Sequence, residues 1–340
     1  MPSGSRPVDL RSDTVTRPTQ QMREAMFAAE VGDDVYGDDP EANALEAEVA
    51  DLLGFEAGLF VASGSLGNQL GMRLLVAPGQ ELVCDSLAHV ARAELGAAAV
   101  FSGITFRTWR ADGGRLDADA VADLITPDAG PYLVSTAAIA LENTHNFGGG
   151  TVQPADQVQA VVELAKANSL GLHLDGARLW NAHVASGTPL HELTAGFDTV
   201  SVCLSKGLGA PIGSVLVASG ELIAQARVWR KRYGAGMRQV GLIAAAGRFA
   251  VANNIPRLAE DHTRAQRLAT ALGGENAVSP TNIVVLHAPG AAEVAAQARA
   301  QGVLVSALGP AFLRLVTHLD IGDDDVDRAI EVLRPLLSHS

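Results

Sequence analysis

Short apolar runs alternate along the chain with stretches in which apolar residues recur every three or four positions. The first pattern is typical of buried β-strands and the second of amphipathic helices. The segment from Asp156 to Asn168 shows the helical spacing, with Pro154 before it and Gly171 after it as boundary signals. Strands are predicted at residues 58–62, 133–141, 172–174, 199–203 and 213–218, and helices from about Gly67 and over 156–168, 219–232 and 238–253. This alternation predicts an α/β fold with a mostly parallel central sheet and helices on both faces.

The pattern restarts beyond about residue 255. There it predicts a helix, a strand at 283–286, a second helix, strands at 303–305 and 313–316, and a final helix. A chain of 340 residues is longer than one compact core usually grows. We therefore predict a large domain over residues 1–250, which includes the N-terminal arm, and a smaller α+β domain over residues 251–340.

Composition and charge exclude several classes of function. The net charge of −13 disfavours binding to nucleic acid or to an anionic membrane surface, and no apolar run is long enough to span a membrane. The cysteines, Cys84 and Cys203, lack CxxC spacing, and the histidines lack HExxH spacing, so no metal site is predicted. The N-terminal stretch MPSGSRPVDL has no signal-peptide pattern. A reducing cytoplasm is the expected location.

Amine chemistry has few candidates, because the chain contains only three lysines. Lys166 lies on the polar side of a predicted helix, and Lys231 belongs to a basic helical run that fits either a surface or an anion contact. Lys206 differs, because it follows the apolar stretch 200–204 and directly succeeds Ser205. Ligands gather at the carboxyl ends of strands in such sheets, and a partly buried lysine readily becomes a free amine. Lys206 is therefore the candidate for Schiff-base formation, with an ordinary surface lysine as the alternative.

Asp175 closes another apolar strand. If it is buried, it needs a cationic partner. A protonated pyridine nitrogen is one such partner, and the pairing makes the ring an electron sink. An internal ion pair with Arg178 is the alternative.

The turn Ser63-Gly64-Ser65 joins a predicted strand to a predicted helix. Its N–H groups and hydroxyls lie at the positive end of the helix, which suits a phosphate group. The signal is weak alone, since the turn is neither a Walker loop nor a GxGxxG motif.

Seven long segments together carry a family resemblance. The sequence resembles the threonine aldolases of the β-eliminating lyase group, which are fold-type-I pyridoxal-phosphate enzymes, and the match runs nearly end to end. The segments are DLRSDTVTRP (9–18), VGDDVYGDDP (31–40), LENTHNFGGGTVQP (141–154), HLDGARLWNA (173–182), CLSKGLGAPIGS (203–214), WRKRYGAGMRQ (229–239) and RLVTHLD (314–320).

The resemblance implies a role for each of thirteen residues. Those implied to hold pyridoxal phosphate are Lys206 as the Schiff base, Asp175 at the pyridine nitrogen, His89 on the ring face, and Gly64, Ser65, Ser205, Arg178 and Arg238. Those implied to bind substrate are Ser12, Arg178 and Arg314 at the carboxylate, His145 near the β-hydroxyl, and Tyr36 and Lys231. The implied assembly is a homotetramer, a dimer of dimers in which Arg238, Tyr36 and Lys231 complete the site of a neighbouring subunit.

The implied reaction is cleavage of L-threonine, L-allo-threonine and related β-hydroxy-α-amino acids to glycine and an aldehyde. The implied catalytic residues are Lys206, Asp175, His89 and His145. Either histidine, or a water that one of them activates, could be the base for the β-hydroxyl proton. The alternative functions are a pyridoxal-phosphate β-eliminating lyase acting on another amino acid and a carrier without catalysis.

Two segments depart from the pattern of many relatives. The phosphate turn reads Gly64-Ser65-Leu66, which keeps a hydroxyl, although the following positions change. Residues 90–93, directly after His89, read VARA. Many relatives place a tyrosine and bulkier groups there. A roomier entrance that accepts aryl side chains is therefore a hypothesis.

Overall fold

The computed structural model describes residues 6–275 and 277–338 of the chain. Outside the described residues lie 1–5, 276 and 339–340. The first range belongs to the N-terminal stretch for which no signal peptide is predicted, and the others belong to the predicted small domain. The strands are β1 (Val8–Asp9), β2 (Ala57–Val61), β3 (Glu81–Asp85), β4 (Thr105–Trp109), β5 (Thr136–Glu142), β6 (Gly171–Gly176), β7 (Thr199–Cys203), β8 (Ser214–Ala218), β9 (Ile283–His287), β10 (Val303–Leu304), β11 (Ser306–Ala307) and β12 (Phe312–Val316).

Fourteen α-helices of the described residues alternate with these strands along the chain. They are α1 (Gln20–Ala28), α2 (Pro40–Leu52), α3 (Gly64–Leu75), α4 (His89–Arg92), α5 (Ala97–Ser102), α6 (Ala118–Ala122), α7 (Ala155–Ala167), α8 (Leu179–Ser186), α9 (Leu190–Leu193), α10 (Gly220–Arg232), α11 (Gly241–Asn254), α12 (Leu258–Gly273), α13 (Ala291–Ala300) and α14 (Asp323–Ser338). Within the described residues, none of them is long and apolar enough to cross a membrane.

The central sheet is mostly parallel, as predicted. Its order in the described part of the chain is β2-β8-β7-β6-β5-β3-β4. The strands from β7 to β4 run parallel, whereas β8 is antiparallel to both of its neighbours, β7 and β2. The carboxyl ends of β5, β6 and β7 therefore meet along one edge, which is where polar side chains of the sheet converge.

Helices cover both faces of this sheet. Along β8, Val215 and Val217 belong to the core that includes α2 and α7, whereas Leu216 and Ala218 belong to the core that includes α3 and α10. Successive residues of a strand point to opposite faces, so both faces are buried. A strand buried on both faces reads as a continuous apolar run, which is why this strand was visible in the sequence.

Some element boundaries differ from the predictions. Helix α3 begins at Gly64 instead of Gly67, because the Ser63 hydroxyl caps it by accepting a hydrogen bond from the Leu66 N–H at 3.2 Å. Strand β5 begins at Thr136 instead of residue 133, and the apolar residues before it are exposed. Strands β3 and β4 were not predicted.

The C-terminal elements form a smaller unit with its own core. Strands β11, β12 and β9 make an antiparallel sheet, against which α12 and α13 pack. Near the N-terminus, β1 pairs in parallel with β10, and Val8 and Leu10 lie in the core of this unit. The division at residue 250 stays a prediction, and the start of the chain packs with the C-terminal part.

Candidate active site

The carboxyl ends of the central parallel strands bring the candidate chemistry together. Glu142 ends β5, Asp175 lies at the end of β6, and Lys206 follows β7 by three residues. Glu142 and Asp175 are register partners in neighbouring strands. This is the edge of an open α/β sheet at which ligands bind.

Asp175 is a buried carboxylate without a cationic partner among the residues that the structure describes. It is 3% exposed. Oδ2 accepts a hydrogen bond from Asn68 Nδ2 at 2.8 Å, and Oδ1 accepts one from the Ala177 N–H at 3.1 Å. The alternative in which Asp175 pairs with Arg178 is wrong, because Arg178 pairs with Asp13. A buried carboxylate of this kind favours a positively charged ligand group beside it.

Lys206 is partly buried, and its amine has neither a hydrogen bond nor an ion pair within the described residues 6–275 and 277–338. Its charge is one of several contributions to the pKa values of Asp13 and His89, and in both cases it acts to lower them, so the amine lies near these two side chains. Ser205, also half-buried, carries a hydroxyl without a hydrogen-bond partner in the same described part of the chain. The amine is therefore free to react with a carbonyl group.

The first turn of α3 holds Gly64 and Ser65. The first N–H groups of a helix have no acceptor within it, so those of these two residues are available to a ligand. A Cβ at Gly64 would lie 2.6 Å from Cys203 Sγ, so the close approach of the turn to the end of β7 requires glycine. The helix end thus lies beside the strand from which Lys206 follows.

His89 is half-buried and has one occupied ring nitrogen. Nδ1 lies 2.9 Å from Glu94 Oε1, and no partner of Nε2 occurs in the described structure. The backbone N–H of His89 donates to Glu142 Oε2 at 2.6 Å, and this hydrogen bond anchors the start of α4 to the end of β5. Burial lowers the pKa of His89, but the hydrogen bond to Glu94 and the charge of Asp175 raise it above the ordinary value.

His145 lies in the loop after β5 and is 1% exposed. Its Nε2 is 3.1 Å from Asp85 Oδ1, and its Nδ1 accepts a hydrogen bond from the Gly148 N–H at 3.0 Å. Both ring nitrogens therefore have protein partners, unlike those of His89.

Arg178 is held by Asp13 and Asn146. Its Nε and Nη2 donate to the two Asp13 oxygens at 2.8 and 2.7 Å, and its Nη1 donates to Asn146 Oδ1 at 3.2 Å. Ser12 directly precedes Asp13, and its hydroxyl accepts hydrogen bonds from the N–H and the hydroxyl of Thr14. The predicted carboxylate clamp is thus built on a buried ion pair.

Arg314 has no acidic partner within 4.0 Å among residues 6–275 and 277–338. Its Nη1 donates to Asn146 Oδ1 at 2.9 Å, its Nη2 donates to the Arg11 carbonyl at 3.3 Å, and its buried Nε has no partner in that part of the chain. Burial and the charge of Arg178 lower its pKa below the usual value for an arginine. A partly buried arginine without a counter-ion is the expected binding site of a carboxylate.

The structure brings Tyr36, Lys231 and Arg238 to one exposed surface. Tyr36 is 77% exposed, and Arg238 Nη1 donates to Asp33 Oδ2 at 3.1 Å, three residues before Tyr36 in the chain. The Asp34 carboxylate, in the same turn, pairs with Arg230, which neighbours Lys231. No hydrogen bond or ion pair of the described residues joins these three side chains to Lys206, Asp175 or His89.

Several residues at this site were missed from the sequence. They are Asn68, Asp85, Glu94, Glu142, Asn146 and Asp13. Three of them, Asp13, Glu142 and Asn146, fall inside segments that carried the resemblance, and this was the available signal. Glu94 had no comparable signal, because nothing local relates it to Asn68.

One acidic cluster has the spacing of a metal site. Single atoms of His89, Glu94 and Asp175 lie within 4.8 Å of one another. Asn68 Nδ2 donates to both carboxylates, at 2.9 Å to Glu94 and 2.8 Å to Asp175, so hydrogen bonds already join them. The prediction of no metal stays a prediction.

Comparisons with known proteins agree with one another. Residues 9–287 match the model of the family described as beta-eliminating lyase. The chain is 42% identical over 338 residues to the low specificity L-threonine aldolase of Escherichia coli O157:H7, covering 98% of this chain and 100% of the relative.

Solved structures share the fold. The threonine aldolase of Leishmania major superimposes with a TM-score of 0.83 at 20% identity, covering 97% of this chain and 99% of that chain. A structure of SPT with PLP superimposes with a TM-score of 0.72 at 16% identity, covering 96% and 86% of the two chains.

Proposed function

This chain belongs to the beta-eliminating lyase family, and we propose that it is a carbon–carbon lyase that cleaves L-threonine and L-allo-threonine to glycine and acetaldehyde. The full-length similarity to a low specificity L-threonine aldolase supports the reaction. Related L-β-hydroxy-α-amino acids belong to the same proposed substrate class.

One observation carries the proposal. Lys206 and Asp175 lie at the ends of adjacent strands, and neither charge has an oppositely charged partner in the part of the chain that the structure describes. A buried carboxylate without a cationic partner is costly in a protein that binds nothing there, and the free amine follows the neighbouring strand. A ligand that carries both a carbonyl group and a basic ring nitrogen complements the pair.

Pyridoxal 5′-phosphate fits this donor set. Lys206 would hold it covalently, Asp175 would pair with the ring nitrogen, and His89 would cover a ring face. The N–H groups of Gly64 and Ser65 would bind the phosphate, with Ser205 nearby. When bound, the cofactor supplies an electron sink for the carbanion that forms at the substrate α-carbon.

Arg314 would hold the substrate carboxylate. Its guanidinium has no counter-ion among the described residues, and Asn146 Oδ1 fixes it by accepting a hydrogen bond at 2.9 Å. Arg178 accompanies it through the same Asn146 oxygen and stays attached to Asp13. A carboxylate fixed in this way orients the bond between the α- and β-carbons, which is the purpose of substrate positioning.

His89 is the stronger candidate for the base. Its Nε2 has no partner in the described structure, whereas both nitrogens of His145 have partners. A general base needs a free lone pair within reach of the proton that it removes. His145 and Asp85 would then support the loop that carries Asn146.

The proposed assembly is a homotetramer whose sites are shared between subunits. Tyr36, Lys231 and Arg238 lie on one exposed surface and, within the described residues, have no hydrogen bond or ion pair to Lys206, Asp175 or His89 of their own subunit. Large apolar side chains such as Phe27 and Leu95 are more than 90% exposed. Exposed apolar groups of this size favour an interface. A cytoplasmic location is also proposed, since the two buried cysteines are unpaired.

Shared sites predict complementation. A mixture of Lys206→Ala and Arg238→Ala subunits, dissociated and reassembled, should recover about a quarter of wild-type activity, because hybrid dimers hold one intact site. Light scattering gives the subunit number. Activity absent from the mixture, despite mixed assemblies, would argue against sharing.

The test of the reaction is a coupled assay for acetaldehyde with L-threonine and L-allo-threonine in parallel. Lys206→Ala should abolish activity, and Lys166→Ala, a matched exposed lysine, should keep it. Borohydride reduction followed by peptide mass spectrometry should find the cofactor on Lys206. Release of pyruvate and ammonia instead of acetaldehyde would overturn the aldolase reaction in favour of β-elimination.

A further inference from the structure

Asn68 joins two carboxylates that serve different parts of the proposed site. Its Nδ2 donates one hydrogen bond to Asp175 Oδ2 at 2.8 Å and another to Glu94 Oε1 at 2.9 Å. All three side chains are buried. Asp175 is the proposed partner of the cofactor ring, and Glu94 contacts His89, so one amide connects the two.

The orientation of the Asn68 amide is fixed from its other side. Asn68 Oδ1 lies 3.2 Å from His173 Nε2, and His173 Nδ1 lies 2.8 Å from the Thr199 hydroxyl. Burial lowers the pKa of His173 to about 4, so its ring is neutral at pH 7. A neutral ring that accepts from the hydroxyl at Nδ1 carries its hydrogen on Nε2 and donates it to Asn68.

Glu94 collects hydrogen bonds from three side chains. Besides Asn68, Gln69 Nε2 donates to Oε2 at 2.5 Å, and His89 Nδ1 lies 2.9 Å from Oε1. Two of these partners are amide N–H groups that donate to the two Glu94 oxygens, which is the arrangement around an ionised carboxylate, and an ionised carboxylate only accepts. The hydrogen between His89 and Glu94 therefore belongs to His89 Nδ1, which leaves the lone pair on Nε2.

We propose that Glu94 is a positioning residue that holds His89 in the tautomer with its hydrogen on Nδ1, so that Nε2 accepts the proton of the substrate hydroxyl. The inference rests on the proposed aldol cleavage. The O–H bond breaks and its proton goes to Nε2, while its electron pair becomes the second C–O bond of the aldehyde. The pair from the bond between the α- and β-carbons stays with the glycine fragment, which later takes up a proton.

The charges around His89 come from four elements of the fold. Glu94 follows α4, Glu142 ends β5, Asp175 is the penultimate residue of β6, and Lys206 follows β7. Glu94 and Asp175 favour the protonated ring, and Lys206 opposes it. Among the described residues, Glu94 is the one that hydrogen-bonds to the ring, so its removal should act on His89 more than on the neighbours.

The first variant is Glu94→Gln, which removes the charge and keeps the size. Gln69 Oε1 has no partner in the described structure and can accept the new amide N–H after a flip, so the fold should tolerate the change. The acid limb of the kcat/KM profile should move to lower pH by about one unit, because an adjacent carboxylate raises a histidine pKa by about that much. Glu94→Ala, which also removes the acceptor, should lower kcat by about 10²-fold.

The matched control is Glu46→Gln. Glu46 is also buried, accepts a hydrogen bond from the Phe60 N–H at 2.8 Å and pairs with Arg227, and it has no hydrogen bond to His89 among the described residues. Its replacement should cost stability without moving the acid limb. A Glu94→Gln enzyme with the wild-type profile, or a control that moves the limb equally, would overturn the proposal.

A second measurement reads the tautomer without activity. The holoenzyme labelled with ¹⁵N-histidine should give solid-state NMR signals of a His89 ring protonated at Nδ1, assigned by their loss in His89→Asn. The Glu94→Ala variant should shift this signal towards the Nε2 tautomer. A wild-type ring protonated on Nε2 alone would overturn the positioning role, whereas a wild-type enzyme that releases no acetaldehyde would overturn the aldol reaction.

Discussion

Arg178 and Asp13 form a two-point ion pair in the interior, with Nε–Oδ2 and Nη2–Oδ1 distances of 2.8 and 2.7 Å. Burial alone raises the pKa of Asp13, but the charge and hydrogen bonds of Arg178 outweigh it and lower the pKa to about 2. The pair joins the turn before α1 to the segment after β6. It therefore ties the N-terminal arm to the central sheet beside Lys206.

Replacing Asp13 by Asn should lower the free energy of unfolding at pH 7 by about 3 kcal/mol, because a buried arginine loses its counter-ion. A lowered carboxyl pKa stabilises the fold above the unfolded value, and this stabilisation disappears as the pH falls from about 4 towards 2. The difference in free energy of unfolding between the wild type and Asp13→Asn should therefore be smaller at pH 3 than at pH 7. Urea unfolding at fixed protein concentration measures it.

The control for this prediction is Asp327→Asn, since Asp327 pairs with Arg267 at the surface. Its effect should stay under about 1 kcal/mol at both pH values. Equal losses in the two variants would contradict the special weight given to the buried pair.

Arg314→Ala should raise KM for L-threonine by about 30-fold or more. The reason is that an unpaired arginine at the proposed carboxylate site contributes about 2 kcal/mol or more to binding. Steady-state kinetics with Arg267→Ala as the control measures the change. An unaltered KM would move the carboxylate contact to Arg178.

His89→Asn should lower kcat by about 10² to 10⁴, the usual size of a general-base effect. His145→Asn should change kcat by less than about tenfold, but it should lower the stability by about 1–3 kcal/mol, because Asp85 and the Gly148 N–H lose their partner. Kinetics and urea unfolding of both variants separate these effects. The reverse pattern would identify His145 as the base, and two small kcat effects would exclude both histidines.

The protein should lose stability between pH 7 and pH 5 because His173 is buried. Burial lowers its pKa to about 4, so the unfolded chain, with a pKa near 6.5, binds the proton more readily below that pH. Stability from this group is complete above about pH 6.5 and falls as the pH drops towards 4. Up to about 3 kcal/mol is involved over that range.

The measurement is urea unfolding at pH 7 and pH 5 for the wild type, His173→Gln and His287→Gln. His173→Gln should flatten the pH dependence, whereas His287, which is exposed on β9, should have no such effect. A dependence that survives in His173→Gln would assign it to another group, of which His262 is the next candidate because its pKa is also lowered to about 4.

The sequence by itself determined most strands of the central sheet and the position of Lys206, the proposed Schiff-base lysine, after β7. Strands β7 and β8 are apolar on both faces, so local pattern alone revealed them. Strand β4, in contrast, carries exposed residues along most of its length and lies at the edge of the sheet. Such a strand has little local signal, and it was missed.

The tertiary structure decided the partners. Asp13 and Arg178 are 165 residues apart, and Asn68 and Asp175 are 107 apart. Local periodicity reports which side of an element is buried, because residues spaced at the helix or strand period lie on the same face. Which carboxylate meets which amide depends on how α3, β6 and the N-terminal arm pack together. The same packing decides that Nδ1 of His89 contacts Glu94 and that Nε2 has no partner in the described structure.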